Sequence, residues 1–551
     1  MHASRSTHWR QGWTRLFFLC LPLAALGQQP PAQPPPLPSF AELEAAGARV
    51  GEIRVRSREI FDTQDPLEDK LIFRWANALH IQTRPGVIEG ALLFKTGEPL
   101  SVALIDETER VLRSKRYLYD VQLRPVAWHD GVADIEVETR DTWSLDPGFS
   151  AGRSGGVTSG GIHIQEYNLL GTGAAVSLGT SKGVDRRSDE FQFSHDRVFG
   201  SRAAVNYSLA QNSDGRREAA SLARPFYSLD TRWAAGVSAS KDTRIDAFYN
   251  AGEVANQYRH HQDLAEVFAG WSAGRVDAWV QRYSLGWSLT DDAYAAEPGL
   301  VAPAKIPSDE KLAGPFVRYE LIEDRFEKLR NRNLIERPEF FALGLAATAQ
   351  LGWASTAWGA SLDALLYRAS ISRGFEPAPR QNLNAAAAIS GQLADGHVRR
   401  QHLAGSAQYY LPQGPLWLLY AAASGDVLHR PEPVDALQLG GDNGLRGYPL
   451  RYQSGYRRML FTLEERRYTD LYVWQLFRIG GAAFLDMGRA WGGDNVNLAA
   501  PGWLGNGGVG LRIVSARSAF SNVLHLDLAF PFNAPPDIKK VQFLFKTKAS
   551  F

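Results

Sequence analysis

FRIGGAAFLDMGRAW, residues Phe477 to Trp491, alternates with a period of two. In an extended chain Phe477, Ile479, Ala483 and Leu485 share one face, and Arg478, Gly480, Ala482, Phe484 and Asp486 share the other. The first face is apolar; the second mixes small residues with a cation and a carboxylate. A soluble sandwich buries its apolar face in a dry core, whereas a membrane barrel turns it to lipid and its mixed face to a wet lumen. Recurrence along the chain separates the two.

The pattern recurs from about residue 143 to the end. RAAVNYSLA sets Ala203, Val205, Tyr207 and Leu209 against Arg202, Ala204, Asn206 and Ser208, and the turn signal NSDG follows. Met459, Phe461 and Leu463 oppose Thr462, Glu464 and Arg466, while Leu524, Leu526, Leu528 and Phe530 oppose His525 and Asp527. In the last segment Val541, Phe543 and Phe545 alternate with Gln542, Leu544 and Lys546. No helical period intervenes, and aromatic residues gather at strand ends (YVWQLF, PLWLLY). These features favour a mainly β transmembrane barrel over residues 143–551, closed because an open edge in lipid leaves backbone groups unpaired. At about 25 residues per strand and loop, roughly 400 residues make about 16 antiparallel strands.

The ends and the composition agree with export. Arg5, Arg10 and Arg15 precede the apolar run Leu16 to Leu26 and a small-x-small site at Ala25-Leu26-Gly27, which reads as a signal peptide over 1–27. Cys20, the only cysteine, lies within it, so the remainder carries no disulfide or thiolate metal site. Sixty basic residues against 59 acidic leave no electrostatic footprint for nucleic acid. A Pro-rich linker (28–47) leads to a compact unit over 48–142. There Ile53 and Val55 mark a strand, Val87 to Leu93 a short helix, and Leu104, Ile105, Thr108, Val111 and Leu112 a second helix. Strands over Tyr119–Trp128 and Val132–Thr139 flank the turn His129-Asp130-Gly131, for an order of β-α-α-β-β.

One loop stands out. GGDNGLRGYP, Gly440 to Pro449, is Gly-rich yet holds a lone cation, Arg446, between Leu445 and Gly447 and just ahead of Tyr448. Spacing alone leaves two readings open: an exposed loop arginine, or a loop folded into the lumen where Arg446 meets Asp486, with Glu464 as a second acceptor. Arginine suits the second role because its planar fork binds carboxylate bidentately and keeps its charge.

Other candidates have plainer readings. Gly152-Arg153-Ser154-Gly155-Gly156 matches a hydrolase G-x-S-x-G string but opens no helix, so it reads as a turn. The His260-His261 pair, His397 and His402 read as surface loops rather than metal ligands, and Asp134, Glu136 and Glu138 as a solvated strand face. No catalytic group, metal or cofactor is expected.

GGDNGLRGYP resembles the lid-loop motif of the BamA/TamA family of outer-membrane assembly barrels, whose core is Arg-Gly followed by an aromatic. FLDMGRAW is similar to that family's later strand motif, and GNGGVGLRI and HLDLAFP to its closing strands. The β-α-α-β-β unit resembles a single POTRA domain, and Phe551 resembles the family's C-terminal aromatic; Ala549 departs from the aromatic usual two residues before the end. The resemblance implies a 16-stranded barrel in the bacterial outer membrane with its POTRA unit in the periplasm, and a lid loop (Gly440, Gly441, Leu445, Arg446, Gly447, Tyr448) tucked inside. It also implies pairing of Arg446 with Asp486, and a seam and C-terminal signal at Val541, Phe543, Phe545 and Phe551. Unfolded outer-membrane or secreted polypeptides are the partners expected, captured by a POTRA edge strand and inserted or translocated. A two-partner-type secretion channel and a passive barrel or surface antigen are the alternatives.

Overall fold

The computed structural model describes residues 37–441, 443–493, 502–516, 523–532, 534–536 and 538–548. The expected signal, most of the linker and Phe551 fall outside these residues. The chain begins with α1 (Phe40–Ala45), β1 (Arg49–Arg58), α2 (Leu71–Leu79), α3 (Pro85–Glu89), α4 (Val102–Arg113), β2 (Leu118–His129) and β3 (Val132–Asp141). Ser39 and Glu42 form a capping box on α1, and Pro85 starts α3, where its missing N–H costs nothing. The sheet order is β1-β3-β2, with β1 parallel and β2 antiparallel to the central β3. Ala133, Ile135 and Val137 of β3 meet Ile88, Ile105 and Leu112 of the helices in one core. Helix α2 is an addition to the expected β-α-α-β-β order.

The opposite face of β3 departs from the solvated stripe expected of it. As the central strand, β3 is flanked by arginines from both neighbours. Arg58 Nε lies 2.7 Å from Glu138 Oε1, Arg124 bonds Glu136, and Asp134 Oδ1 accepts the Glu52 N–H at 2.8 Å. Asp134 and Glu138 are buried under these partners.

The rest of the described chain is a barrel. Its strands begin with β4 (Leu145–Ser154), β5 (Val157–Leu169), β6 (Ala174–Lys182), β7 (Arg187–His195), β8 (Ala204–Asn212) and β9 (Gly215–Arg224). They continue with β10 (Trp233–Asn250), β11 (Glu253–Val276), β12 (Trp279–Ala295) and β13 (Glu310–Glu323). After a side hairpin of β14 (Phe326–Leu329) and β15 (Glu339–Ala342) come β16 (Ala346–Ala354), β17 (Ala364–Phe375), β18 (Asn382–Ala394), β19 (His397–Pro412) and β20 (Trp417–His429). A second pair, β21 (Leu437–Leu439) and β22 (Gln453–Gly455), lies within the next connection. The wall finishes with β23 (Arg457–Val473), β24 (Phe477–Trp491), β25 (Leu504–Ser515), β26 (Val523–Phe532) and β27 (Gln542–Lys548).

Among the described residues twenty strands close the barrel, not the sixteen expected. The repeat is shorter than assumed, because several strands are joined by only two residues: Gly155-Gly156, Ala251-Gly252, Asp277-Ala278 and Asp395-Gly396. All of these residues have positive φ, as the hairpin turns that match strand twist require. Ile162, Leu285, Val317, Leu403, Phe461, Leu485 and Val509 project outward and are exposed. So large an uncovered apolar surface suits hydrocarbon rather than water. Inside is a polar cavity of about 1030 Å³, with Ser177, Gln192, Ser194, Asn206, Ser208 and Ser221 in its lining.

The α/β unit meets one end of the barrel. Lys115 Nζ lies 2.6 Å from Asp196 Oδ2, between β7 and β8, and the Leu229 N–H donates to Glu107 Oε1 at 2.7 Å. The connection between β20 and β23 emerges at the far end.

Candidate functional site

That far-end connection folds back into the lumen. Leu439, Leu445, Tyr448 and Tyr452 pack with Ala490 of β24 and Leu504 of β25 in a buried cluster. This anchors the loop along its length and aims Arg446 across the lumen. Gly447 passes so close to the wall that a Cβ there would sit 2.7 Å from Asn506 Cβ.

Arg446 is buried and meets three strands. Its Nε and Nη2 each donate to Asp486 of β24 at 2.8 Å, one to each carboxylate oxygen. Its Nη1 lies 2.8 Å from Glu464 Oε1 on β23 and 3.7 Å from Asp527 Oδ2 on β26. The guanidinium also stacks over Phe484, 3.4 Å from the ring centre. Asp486 in turn accepts Thr462 Oγ1 at 3.0 Å and Asn506 Nδ2 at 2.9 Å. Thr462, Asp486 and Asn506 form one register row across β23, β24 and β25. Asn506 Oδ1 accepts the Gly447 N–H at 3.1 Å, so a single side chain fixes both the acceptor and the loop. Phe484, Asn506 and Asp527 are absent from the sequence-based site. Their signal is inward position on neighbouring strands, which needs the register.

A second element plugs the lumen from the other end. The β14–β15 hairpin turns inward, and Ile335 and Phe341 pack against Tyr410, Tyr468, Val514 and Val523 of the wall. The Glu339 carboxylate gathers the N–H groups of Arg332, Asn333 and Leu334 and shapes the hairpin tip. Arg332 O accepts Arg466 Nη1 at 3.0 Å and Tyr468 OH at 2.9 Å. Arg466 Nε reaches Glu464 Oε2 at 3.0 Å, and Glu464 faces Arg446. An unbroken polar chain therefore joins hairpin and lid through Arg332, Arg466, Glu464 and Arg446. The hairpin is also tied to α4: Lys328 Nζ lies 2.7 Å from Glu109, and Arg110 reaches Asp324 at 3.1 Å.

The lid spans the place where the barrel closes. Among the described residues β27 and β4 share one register pair, Phe545 with Arg153, whereas β26 and β27 pair from Val523–Lys548 to Ala529–Gln542. On one flank of this seam, Tyr448 OH donates to Gly505 O at 3.2 Å and Phe532 O at 3.1 Å. On the other, Ser154 Oγ donates to Gly441 O at 2.6 Å, and Gly155 packs so tightly that a Cβ would stand 2.3 Å from Leu450 N. Ser154 is thus a lid contact at a tight turn, in keeping with the plain reading of its motif. Farther around the wall, Arg451 bonds Asp185 at 2.6 Å.

Val541 and Phe543 face outward and are exposed, Gln542 and Leu544 inward and buried, and Phe545 is half-buried. His260 is no loop residue. It lies buried in β11 with Nδ1 2.8 Å from Asp246 and Nε2 2.9 Å from Asp292. His402 sits in β19 beside Asp426 at 3.0 Å.

In fold the chain is similar to BamA from Haemophilus ducreyi lacking POTRA domains 1–3, at 11% identity and TM-score 0.39, covering 91% of this chain and 85% of that one. It is also similar to CdiB from Acinetobacter baumannii (12%, TM-score 0.42, 91% and 73% covered) and CdiB from Escherichia coli (13%, TM-score 0.46, 91% and 76% covered). Neither a family model nor a curated protein matches the chain. At these scores the likeness says nothing of function.

Proposed function

We propose that this chain is an outer-membrane barrel that assembles other polypeptides into the membrane, with its α/β unit in the periplasm and no covalent chemistry of its own. The observation that carries the reading is the seam. Among the described residues the junction between β27 and β4 shares one register pair, and a lid bonded to β4 and β26 bridges it, an arrangement suited to being held shut and released. A parted seam exposes two strand edges, and an unpaired edge templates an incoming strand through backbone hydrogen bonds. Burial of the client's apolar strands in lipid supplies the driving force. The edges of the α/β sheet, β1 and β2, offer client capture with the same tolerance of sequence.

A disulfide across the seam tests this. Arg153→Cys with Phe545→Cys, oxidised in liposomes, should abolish acceleration of an unfolded test barrel's folding, and reductant should restore it. Unchanged acceleration with the seam locked sinks the reading.

The polar lumen favours a second reading, a channel that passes an exported chain once lid and hairpin withdraw. It predicts a large rise in conductance on deletion of residues 440–449, unaffected by the seam disulfide.

A further inference from the structure

Helix α2 presents an apolar face that none of the described residues covers. Leu71, Ile72, Trp75 and Leu79 are 71%, 68%, 64% and 71% exposed. At 100° per residue they occupy one arc about 100° wide, opposite Phe73 and Asn77. The helix contains no acidic residue; Lys70 precedes it, and Arg74, on its flank, is paired with Asp69 at 2.6 Å. A helix free to roll would bury such an arc against its own domain, and this one is held from doing so. Asn77 pairs both ways with the Phe61 backbone, at 3.1 and 2.8 Å, and Phe73 stacks on Phe61 at 4.1 Å between ring centres. Arg140 clamps the preceding segment, donating to Ile60 O at 3.0 Å and Glu68 at 2.6 Å.

The position of the helix indicates what covers the arc. The cluster around Phe73 packs on Trp143, just before β4, and on Leu476, in the turn joining β23 to β24. Just past α2, Arg84 Nε donates to Leu170 O in the turn joining β5 to β6. Both turns belong to the barrel rim and carry exposed apolar side chains, Leu170 at 57% and Trp474 at 73%, and Leu471 near the end of β23 is exposed as well. The helix therefore lies at the barrel rim, against the turn before β24 and the segment entering β4.

We infer that α2 is an interfacial helix: its Leu71–Ile72–Trp75–Leu79 face inserts into the acyl region of the adjoining leaflet at the foot of the seam. The ligand is the lipid surface. Lys70 and the Arg74–Asp69 pair stand at headgroup level, where the polar flank of such a helix lies. The inference rests on the barrel being membrane-embedded, and gives that reading a local role: the α/β unit is pinned to the bilayer where the seam meets it.

Spin labels provide the test, on the full chain with Cys20→Ser in phosphatidylethanolamine/phosphatidylglycerol vesicles. Ile72→Cys should show high accessibility to oxygen and low accessibility to a polar nickel chelate, and Arg74→Cys the reverse. Leu485→Cys, on the outward barrel face, is the control. A lipid signature at 485 with an aqueous one at 72 overturns the inference and leaves the barrel reading intact. Aqueous signatures at both overturn the barrel reading itself. Protection at 72 that appears only when an unfolded β-barrel polypeptide is added assigns the face to a client and also overturns the inference. Leu71→Glu with Trp75→Glu should reproduce the aqueous pattern while the heat-modifiable band persists.

Discussion

Arg446 and Asp486 meet inside the barrel with both sides of the guanidinium fork on both carboxylate oxygens, each at 2.8 Å, though forty residues separate them in the chain. The pair is buried, so removing one partner strands a charge rather than merely losing an attraction. Arg446→Ala should destabilise the barrel by about 3–5 kcal/mol, read as a lower unfolding temperature of the heat-modifiable band. Arg446→Lys should recover only part of this, because a point charge cannot reproduce the fork. Wild-type stability in both variants would show that the pair is not holding the lid.

Gly447 gives a steric test of the same seat. A valine there must displace Asn506, so Gly447→Val should cost about 1–3 kcal/mol as overpacking and raise single-channel conductance as the lid lifts. Gly414→Val, at an open position, should change neither.

The chain Arg332–Arg466–Glu464–Arg446 predicts that hairpin and lid are not independent. Arg446→Ala and Arg466→Met should show a coupling energy above about 0.5 kcal/mol in a double-mutant cycle. Arg451→Ala, which breaks the half-exposed pair with Asp185, should cost only about 0–1 kcal/mol. Additive losses for Arg446 and Arg466 would separate the two plugs energetically.

The contact between α4 and the barrel should depend on pH. Burial raises the Glu107 carboxyl above its ordinary range, partly offset by the Leu229 N–H it accepts. A carboxyl raised in the folded state binds its proton more readily there than when unfolded. Its stabilisation is therefore full below the ordinary carboxylate range and is lost as pH rises through the raised value. After correction for intrinsic rates, the Leu229 amide should exchange more slowly under acid than at neutral pH, and Glu107→Gln should remove that difference.

Much of this was legible because alternation is a local property. The period in Phe477–Trp491 puts Asp486 inward, and a Gly-rich loop with one cation invites a buried partner. What stayed hidden depends on register and turn length. Thr462 and Asn506 flank Asp486 only because three strands align in one row. The strand number exceeds the expected sixteen because Ala251-Gly252 and Asp277-Ala278 make two-residue turns without an Asn-Gly or Asp-Gly signal. The arginine cover on Asp134 and Glu138 follows from the central place of β3, which the order of strands in the chain does not reveal. Helix α2 lies outside the expected order because only Phe73 of its large apolar residues enters a core, while Leu71, Ile72, Trp75 and Leu79 face outward.

The placing of the lid contacts also sets an order of events during the protein's own biogenesis. The carboxylates that receive Arg446 lie on β23, β24 and β26, all made after the loop, while Ser154 lies on β4, made long before it. The lid can be fully seated only when the last strands have been laid beside the first. A chain that stalls short of β24 lacks the bidentate acceptor Asp486, and one that stalls short of β26 lacks Asp527 and the Phe532 carbonyl that Tyr448 bonds.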